Sequence, residues 1–443
     1  MKVFVSQEVQ QPAFFTRERI AVYSSALLVA QIVVIGVWVT SCWLLHNRNV
    51  PPPGLDFRVF WSASFISIHQ GAIAAFNSDL LLAIENTLLQ GTGIESACAP
   101  WIYPPPFQLL IFPLAILPYP ASYALFCCIS IACCLLACAP LMKSRPLPWA
   151  VFIAFPGIWV AIIHGQNSLI TLALAAGALG LLEKRPVAAG VCAGLLVIKP
   201  QLAPVFPLLF LFGRNFKALV AAGVTAALLC LVSGLIFGAP LWLRFFEMAS
   251  WFNSAVQNNY ARLWDAMPTV FAIARHSGAS IGVAYALHAF VALGSLLFTI
   301  SIWLRKPHSS LANAAAVTTA LLVPTYLLYY DLAWLLLPIL YLAADFRTSP
   351  RTARAEYVVV TLAWLAPLAS LITWFMPFKS RWAAVVLIAL MVIIVHRFLR
   401  EIRVQSITGP ASPASGHDTE LQRRSASCRR HCVDDLDADL FRP

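Results

Sequence analysis

Long apolar segments separated by short polar connections fill most of this chain, from about residue 20 to about residue 398. An apolar helix of about 20 residues is long enough to cross the hydrocarbon core of a bilayer. Only 11% of the 443 residues are charged, whereas a soluble domain carries about 25%. Such a chain cannot cover a water-facing surface, so we predict an all-α polytopic membrane protein.

The apolar segments give about twelve candidate transmembrane helices, several of them too short to cross alone. They are residues 20–45, 121–142, 149–163, 168–182, 187–198, 202–212, 218–237, 281–304, 311–329, 332–344, 355–375 and 382–398. A further apolar stretch, 107–117, is predicted to be interfacial or re-entrant. The first span exceeds the apolar part of a cleavable signal peptide, which has about 7–15 residues, so we expect it to remain as an anchor.

The distribution of Lys and Arg predicts the orientation. With the N-terminus inside and the spans alternating, most of the 30 basic residues fall on inner segments. They do so although the two predicted outer loops, 47–106 and 238–280, are long. Because cytoplasmic segments carry an excess of Lys and Arg, we predict a cell (inner) membrane protein with both termini cytoplasmic. The formal charge of +11 is then explained by topology and by contact with membrane lipids, and it does not indicate nucleic acid.

Three regions follow from this pattern: a cytoplasmic N-terminal segment (1–19), a multi-pass membrane domain (20–399) and a disordered, polar cytoplasmic tail (400–443). In the tail, Cys428, His431 and Cys432 lack the paired spacing of a zinc site. Five cysteines between residues 127 and 138 are interpreted as small apolar helix residues. We therefore expect no metal and no other cofactor.

Asp56 is the candidate catalytic residue. It follows the first span and a run of three prolines, and Phe57, Phe60 and Trp61 flank it. A carboxylate that is partly shielded from water by aromatic side chains has a raised pKa and is a stronger base. The alternative is a helix N-cap, because Asp before an apolar run is a common cap. The sequence alone leaves both interpretations open.

Lys199 lies between two half-length apolar segments and directly precedes Pro200. Broken helices in membranes usually line a polar cavity, and a charge at membrane depth is a functional candidate by default. A cationic Lys suits a phosphate group. The alternative is a Lys that snorkels to the membrane surface.

Further polar and aromatic residues at breaks in the apolar pattern are candidates for substrate binding. The turn at 164–167 offers side chains that hydrogen-bond sugar hydroxyls, although a plain turn with a helix cap is the alternative. The segment 101–107 offers an aromatic wall, with an interfacial anchor as the alternative. The candidates are Arg58, Tyr103, His164, Gln166, Asn167 and Asp331.

Five sequence blocks carry a resemblance to a known family. They are Asp56-Phe57 with Phe60-Trp61, Tyr103-Pro104-Pro105-Pro106-Phe107, Gly165-Gln166-Asn167, Ala189-Gly190, and Lys199-Pro200. In this order they resemble glycosyltransferase family 87, which includes polyprenyl-phosphate-mannose-dependent mannosyltransferases, over about residues 56–331. The resemblance implies a C-type glycosyltransferase (GT-C-like) membrane fold, a polyprenyl-phosphate hexose donor and inversion at the anomeric carbon. It also implies an acid on the first outer loop as general base, at the position of Asp56.

The predicted function is therefore transfer of a hexose, with mannose as the first candidate, to a lipid or glycan acceptor at the outer face. A metal is not expected, because the first outer loop has no Asp-x-Asp pair. The competing class is a secondary transporter or a lipid-linked sugar flippase, which twelve helices and an intramembrane Lys would also suit. The absence of a visible repeat and the two long loops on one face favour the enzyme.

Overall fold

The structure is a computed structural model that describes residues 16–45, 47, 50, 52–90, 100–143, 147–348, 352–375 and 382–407. All regular secondary structure in these ranges is helical, which confirms the predicted all-α class. The chain divides into two compact units, Met1–Val395 and His396–Pro443. All residues of the candidate site belong to the first unit. The Cys428–Cys432 group and most of the predicted tail lie outside the described residues.

The described residues form eighteen α-helices. Their bounds are α1 Arg17–Val39, α2 Leu55–Gln70, α3 Ser78–Leu88, α4 Pro105–Ile111, α5 Tyr119–Lys143, α6 Trp149–Ile153, α7 Pro156–His164, α8 Ser168–Gly180, α9 Pro186–Leu195, α10 Val205–Phe212, α11 Phe216–Phe237, α12 Ala239–Gln257, α13 Val270–His276, α14 Ile281–Arg305, α15 Ser310–Leu322, α16 Leu336–Thr348, α17 Arg354–Phe375 and α18 Trp382–Ile407. A π-helix continues α1, and short 3₁₀-helices connect other elements. These are Thr40–Leu44 (π), Ala72–Phe76, Phe112–Ile116, Leu196–Ile198, Pro200–Leu202, Tyr260–Ala266 and Tyr329–Leu335.

Six helical segments of the described chain are long and apolar enough to cross a membrane. They are Arg17–Cys42, Tyr119–Lys143, Phe216–Phe237, Ile281–Arg305, Tyr329–Arg347 and Trp382–Arg403. Six shorter apolar helices lie between them, so the membrane character is confirmed while the number of crossings stays a prediction. Protein covers 89% of the apolar stretch of Tyr329–Arg347 but only 11% of that of Phe216–Phe237. The former segment therefore lies at the centre of the fold and the latter at its lipid-facing surface.

The two segments predicted as outer loops contain helices. Residues 47–106 include α2 and α3, and residues 238–280 include α12 and α13. From the sequence we identified helices by uninterrupted apolar segments. We missed these helices because charged and polar side chains interrupt their apolar residues. In α12, for example, Arg244 and Glu247 form an exposed ion pair one turn apart. Whether these helical segments lie outside the membrane stays a prediction.

The α9 and α11 helices pack closely and run parallel. A Cβ atom at Gly190 would overlap the carbonyl oxygen of Ala218, and one at Gly194 would lie 2.5 Å from the carbonyl oxygen of Ala222. Each step of four residues along α9 matches a step of four along α11. Small residues four apart allow this close approach between helices in membranes. The Ala189-Gly190 block of the sequence is thus a helix-packing contact.

We expect Gly190→Ala to destabilise the protein by about 1–3 kcal/mol, because the added methyl group forces α9 away from the α11 backbone. Thermal unfolding of the purified protein in detergent would measure the effect. Gly223→Ala is the matched control, since a Cβ atom there meets nothing within 4 Å. That control should leave stability unchanged or raise it slightly. Equal stability of the two variants would contradict the tight contact.

Candidate functional site

The α2 helix begins where the triple-proline segment ends, and its start is fixed to α7. Gly54 is the N-cap of α2, and its backbone N–H donates to the carbonyl of Ile163 at 2.8 Å. The Tyr119 hydroxyl donates to the carbonyls of Pro53 and Gly54 at 3.2 and 3.1 Å. Asp56 lies in the first turn of α2 and is not its cap, so the helix-cap interpretation of Asp56 is wrong.

The Asp56 carboxyl is half-buried, and its Oδ2 atom has no hydrogen-bond partner among the described residues. Burial raises the pKa of this carboxyl above its ordinary value, and the nearby His164, Gln166 and Lys199 offset part of that rise. Burial raises a carboxyl pKa because it disfavours the charged form. A carboxylate of this kind is a proton acceptor with a free oxygen.

The polar turn between α7 and α8 carries Gly165, which lies between the predicted site residues His164 and Gln166. Gly165 ends α7 in the left-handed conformation at φ 67°, and a Cβ atom there would lie 2.5 Å from Cβ of Phe57. Only glycine fits such a position. The turn therefore packs directly against the helix that carries Asp56.

Both side chains that flank this glycine are buried and hydrogen-bonded. The Nδ1 atom of His164 lies 2.9 Å from the carbonyl oxygen of Val160, and its Nε2 atom lies 2.8 Å from the Tyr329 hydroxyl. Because a carbonyl oxygen only accepts, Nδ1 carries a proton and donates to Val160. On the other side, the Tyr103 hydroxyl donates to Oε1 of Gln166 at 3.1 Å. The turn is thus connected to segments far away in sequence.

Lys199 lies at the break between the two 3₁₀-helices that follow α9. Its side chain is buried, with 2% of the residue exposed. The ammonium forms an ion pair with Oδ1 of Asp331 and donates to Oδ1 of Asn167 at 3.3 Å. The snorkelling interpretation of Lys199 is therefore wrong, because the charge is compensated inside the protein.

Asp331 connects this ion pair to the rest of the site. Its Oδ1 atom also accepts a hydrogen bond from the Ser168 hydroxyl at 2.9 Å. The ammonium of Lys199 additionally lies 5.1 Å from the centre of the Tyr330 ring. Asn167 is fully buried, and its Nδ2 atom has no partner among the described residues. The side-chain amide of Asn167 is thus available to donate a hydrogen bond to a ligand.

Arg58 supplies a second buried cation, two residues after Asp56. Only 6% of Arg58 is exposed, and its Nε and Nη1 atoms have no hydrogen-bond partner among the described residues. Its charge acts on both Asp56 and Tyr119. An unpaired buried guanidinium is unfavourable unless an anion is bound, and its planar fork matches phosphate oxygens.

An aromatic wall borders the site and explains two of the sequence blocks. The ring of Phe60 packs edge-on against Tyr103 at 5.2 Å and Phe107 at 5.0 Å between centroids. Trp101 adds a third edge-on contact at 6.3 Å. The segment before α4 is therefore held against α2. Burial and the nearby Asp56 charge raise the pKa of Tyr103, so its hydroxyl stays protonated and acts as a donor.

Sequence reasoning missed four residues of the site. Ser168 bonds Asp331, Tyr329 bonds His164, and Tyr330 packs against Lys199. Tyr326 is the fourth; its hydroxyl lies near the Tyr330 hydroxyl and the charge of Asp331. The block Tyr329-Tyr330-Asp331 was a visible signal for two of these residues. Ser168 and Tyr326 have no distinguishing pattern in the sequence.

The model of glycosyltransferase family 87 matches residues 101–329, just over half of the chain. This chain belongs to glycosyltransferase family 87. Neither the curated proteins nor the solved structures include a significant match to it. The family match includes Tyr103, Gln166, Asn167 and Lys199, and it begins after Asp56.

Membership in family 87 confirms the resemblance and the coarse function, sugar transfer by a membrane protein. It favours the enzyme over the transporter or flippase. The eight predicted site residues lie on the start of α2, the segment before α4, the 164–168 turn, the Lys199 break and the Tyr329–Leu335 helix.

Proposed function

We propose that this family 87 protein transfers a hexose, mannose in the first instance, from a polyprenyl-phosphate donor to a hydroxyl group of a lipid or glycan acceptor. The transfer takes place at the outer face of the cell membrane and inverts the anomeric carbon. One observation supports it above the others. A half-buried carboxylate with a free oxygen, that of Asp56, adjoins a site with two buried cations, Arg58 and Lys199.

In the proposed reaction, Asp56 Oδ2 takes the proton of the acceptor hydroxyl as that oxygen attacks the anomeric carbon. The bond between this carbon and the phosphate oxygen breaks, and polyprenyl phosphate departs with the bonding electrons. Attack from the side opposite the leaving group inverts the configuration. The reaction needs no second carboxyl group to protonate the leaving group, because the phosphate is already a good leaving group.

The departing phosphate gains negative charge, so cations and hydrogen-bond donors that face it lower the barrier. Arg58 has two unpartnered nitrogen atoms for this task. Lys199 has three N–H donors, of which Asp331 and Asn167 take two. We propose that the third donor of Lys199, together with Arg58, binds the phosphate. Gln166, Asn167, His164 and Tyr103 then contact the sugar.

The decisive test is a transfer assay with the purified full-length protein. Labelled polyprenyl-phosphate mannose and polyprenyl-phosphate glucose would be incubated with extracted membrane lipids and glycans as acceptors. We expect a labelled product whose anomeric configuration is opposite to that of the donor. Transfer from a nucleotide sugar, with none from either lipid donor, would overturn the proposal.

The proposed orientation is tested separately by cysteine labelling in a cysteine-free background. Because basic residues concentrate on one set of segments, we expect a membrane-impermeant maleimide to label Ser78→Cys in intact cells. Ser415→Cys, which lies in the tail outside the described residues, should react only after the membrane is permeabilised. The reverse pattern would place the candidate site on the cytoplasmic side and contradict transfer at the outer face.

A further inference from the structure

A groove between α9 and α11 lies on the surface, away from the candidate site. Its volume is about 590 Å³, and its walls include Val187 and Val191 of α9 and Phe216, Val220 and Val224 of α11. These side chains are between 37% and 62% exposed. In a membrane protein, exposed apolar side chains of this kind contact lipid acyl chains.

Positive charge is concentrated at one end of this groove. Lys217 lines it, and the N-termini of α9 and α11 lie together because the two helices are parallel. Arg185 is the N-cap of α9, with Lys184 before it, and Arg214 precedes the N-cap of α11. Glu183 is the acidic neighbour in sequence. In the described part of the chain, none of the four cations forms an ion pair.

The helix ends add to this positive potential. Each helix N-terminus carries a partial positive charge and unpaired backbone N–H groups. Two parallel helices that begin side by side, next to Lys217 and two arginines, therefore complement an anion. Apolar walls with a cationic end are complementary to a lipid whose head group carries a phosphate.

The length of the groove indicates what kind of lipid fits it. From Phe216 to Val224 the α11 axis rises by about 12 Å. The hydrocarbon thickness of one leaflet is about 15 Å, half of the bilayer core. The apolar walls therefore match one acyl chain that runs from a head group at Lys217 toward the bilayer midplane.

The glycosyl donor does not suit this position. Lys199 follows the C-terminal end of α9, and Lys217 lies beside its N-terminal end. The contact of Gly190 with Ala218 puts Lys217 level with Ala189, so the rest of α9 and the short 3₁₀-helix after it separate the two by about 17 Å. A donor phosphate at the candidate site is thus too far from Lys217 to be bound by both.

We propose that this groove binds one acyl chain of an anionic glycerophospholipid, whose phosphate contacts Lys217, Arg214 and Arg185. The bound lipid fills the space beside the tight α9–α11 contact and stabilises the helix that leads to Lys199. This proposal does not depend on the transfer reaction, so its test needs no enzymatic activity.

The test is native mass spectrometry of the delipidated full-length protein, titrated separately with phosphatidylglycerol and phosphatidylcholine. We expect one retained phosphatidylglycerol, held more tightly than phosphatidylcholine. Lys217→Gln should weaken phosphatidylglycerol binding about fivefold, the effect of about one lipid–cation contact. Val220→Trp, which fills the groove, should weaken the binding of both lipids.

Two matched variants serve as controls. Arg305→Gln removes an exposed cation at the end of α14, and Leu231→Trp enlarges an exposed side chain of α11 away from the groove. Both should bind phosphatidylglycerol as the parent does. Equal affinity for the two lipids, or no effect of Lys217→Gln, would overturn the proposal. Displacement of phosphatidylglycerol by one equivalent of polyprenyl phosphate would also overturn it, because the groove would then bind the donor.

Discussion

Replacement of Asp56 by Asn is expected to reduce turnover by about 10²–10⁴-fold, the usual contribution of a general base. Asn keeps the size of the side chain but cannot accept the acceptor proton. Donor binding should change little, because the base acts on the acceptor hydroxyl. The rate of labelled-sugar transfer at saturating donor would measure the effect. Asp79→Asn is the matched control, since Asp79 also lies in the first turn of a helix but is exposed.

The pH dependence separates a base from a structural carboxylate. The pKa of Asp56 is raised by burial, so turnover of the parent should fall as the pH drops through a value above the ordinary carboxyl range. That acid limb should be absent in the residual activity of Asp56→Asn.

A raised pKa also means that the ionised carboxylate destabilises the fold at neutral pH. Asp56→Asn should therefore unfold at the same temperature or higher. Near-parent turnover in Asp56→Asn would eliminate Asp56 as the base.

Removal of either partner of the Lys199–Asp331 ion pair is expected to destabilise the protein by about 3–5 kcal/mol. Each single substitution, Lys199→Met or Asp331→Leu, leaves an uncompensated charge in the interior. The double variant Lys199→Met/Asp331→Leu should recover most of the stability, since an apolar pair of similar volume is tolerated there. Unfolding monitored by tryptophan fluorescence in detergent would give the three differences.

Activity distinguishes a functional pair from a purely structural one. If Lys199 binds the donor phosphate, donor affinity should fall in the double variant although its stability has recovered, and acceptor affinity should fall less. Parent-like donor affinity in the stable double variant would show that the pair only holds the fold together. The double variant is the informative protein here, because the single variants are less stable.

The sequence indicated much of the site because chemistry-bearing residues occur where apolar runs are interrupted. Asp56, Gln166, Asn167 and Lys199 all stand at such interruptions, and each marks a helix start, turn or break in the structure. Polar groups in a membrane protein need partners or a cavity. A polar residue between two apolar segments is therefore conspicuous even without any knowledge of the fold.

The sequence did not show which of these residues contact each other in the folded protein. Lys199 and Asp331 are 132 residues apart, and the order in which short helices pack is not encoded in the length of apolar runs. The helices α2 and α12 were also missed, because their charged residues made them look like loops. Serine is common in helices, so nothing in the sequence distinguishes Ser168. Its role follows only from its hydrogen bond to Asp331 in the fold.

The long sequence separation of the Lys199–Asp331 pair has a consequence for biosynthesis. Chains grow at about 5–20 residues per second, so roughly 7–26 seconds pass between the synthesis of Lys199 and that of Asp331, 132 residues later. During this interval the nascent chain holds the Lys199 side chain without the Asp331 carboxylate that pairs with it in the folded protein. Any chain truncated before residue 331 keeps that defect permanently. An uncompensated cation among apolar helices thus distinguishes unfinished chains from complete ones.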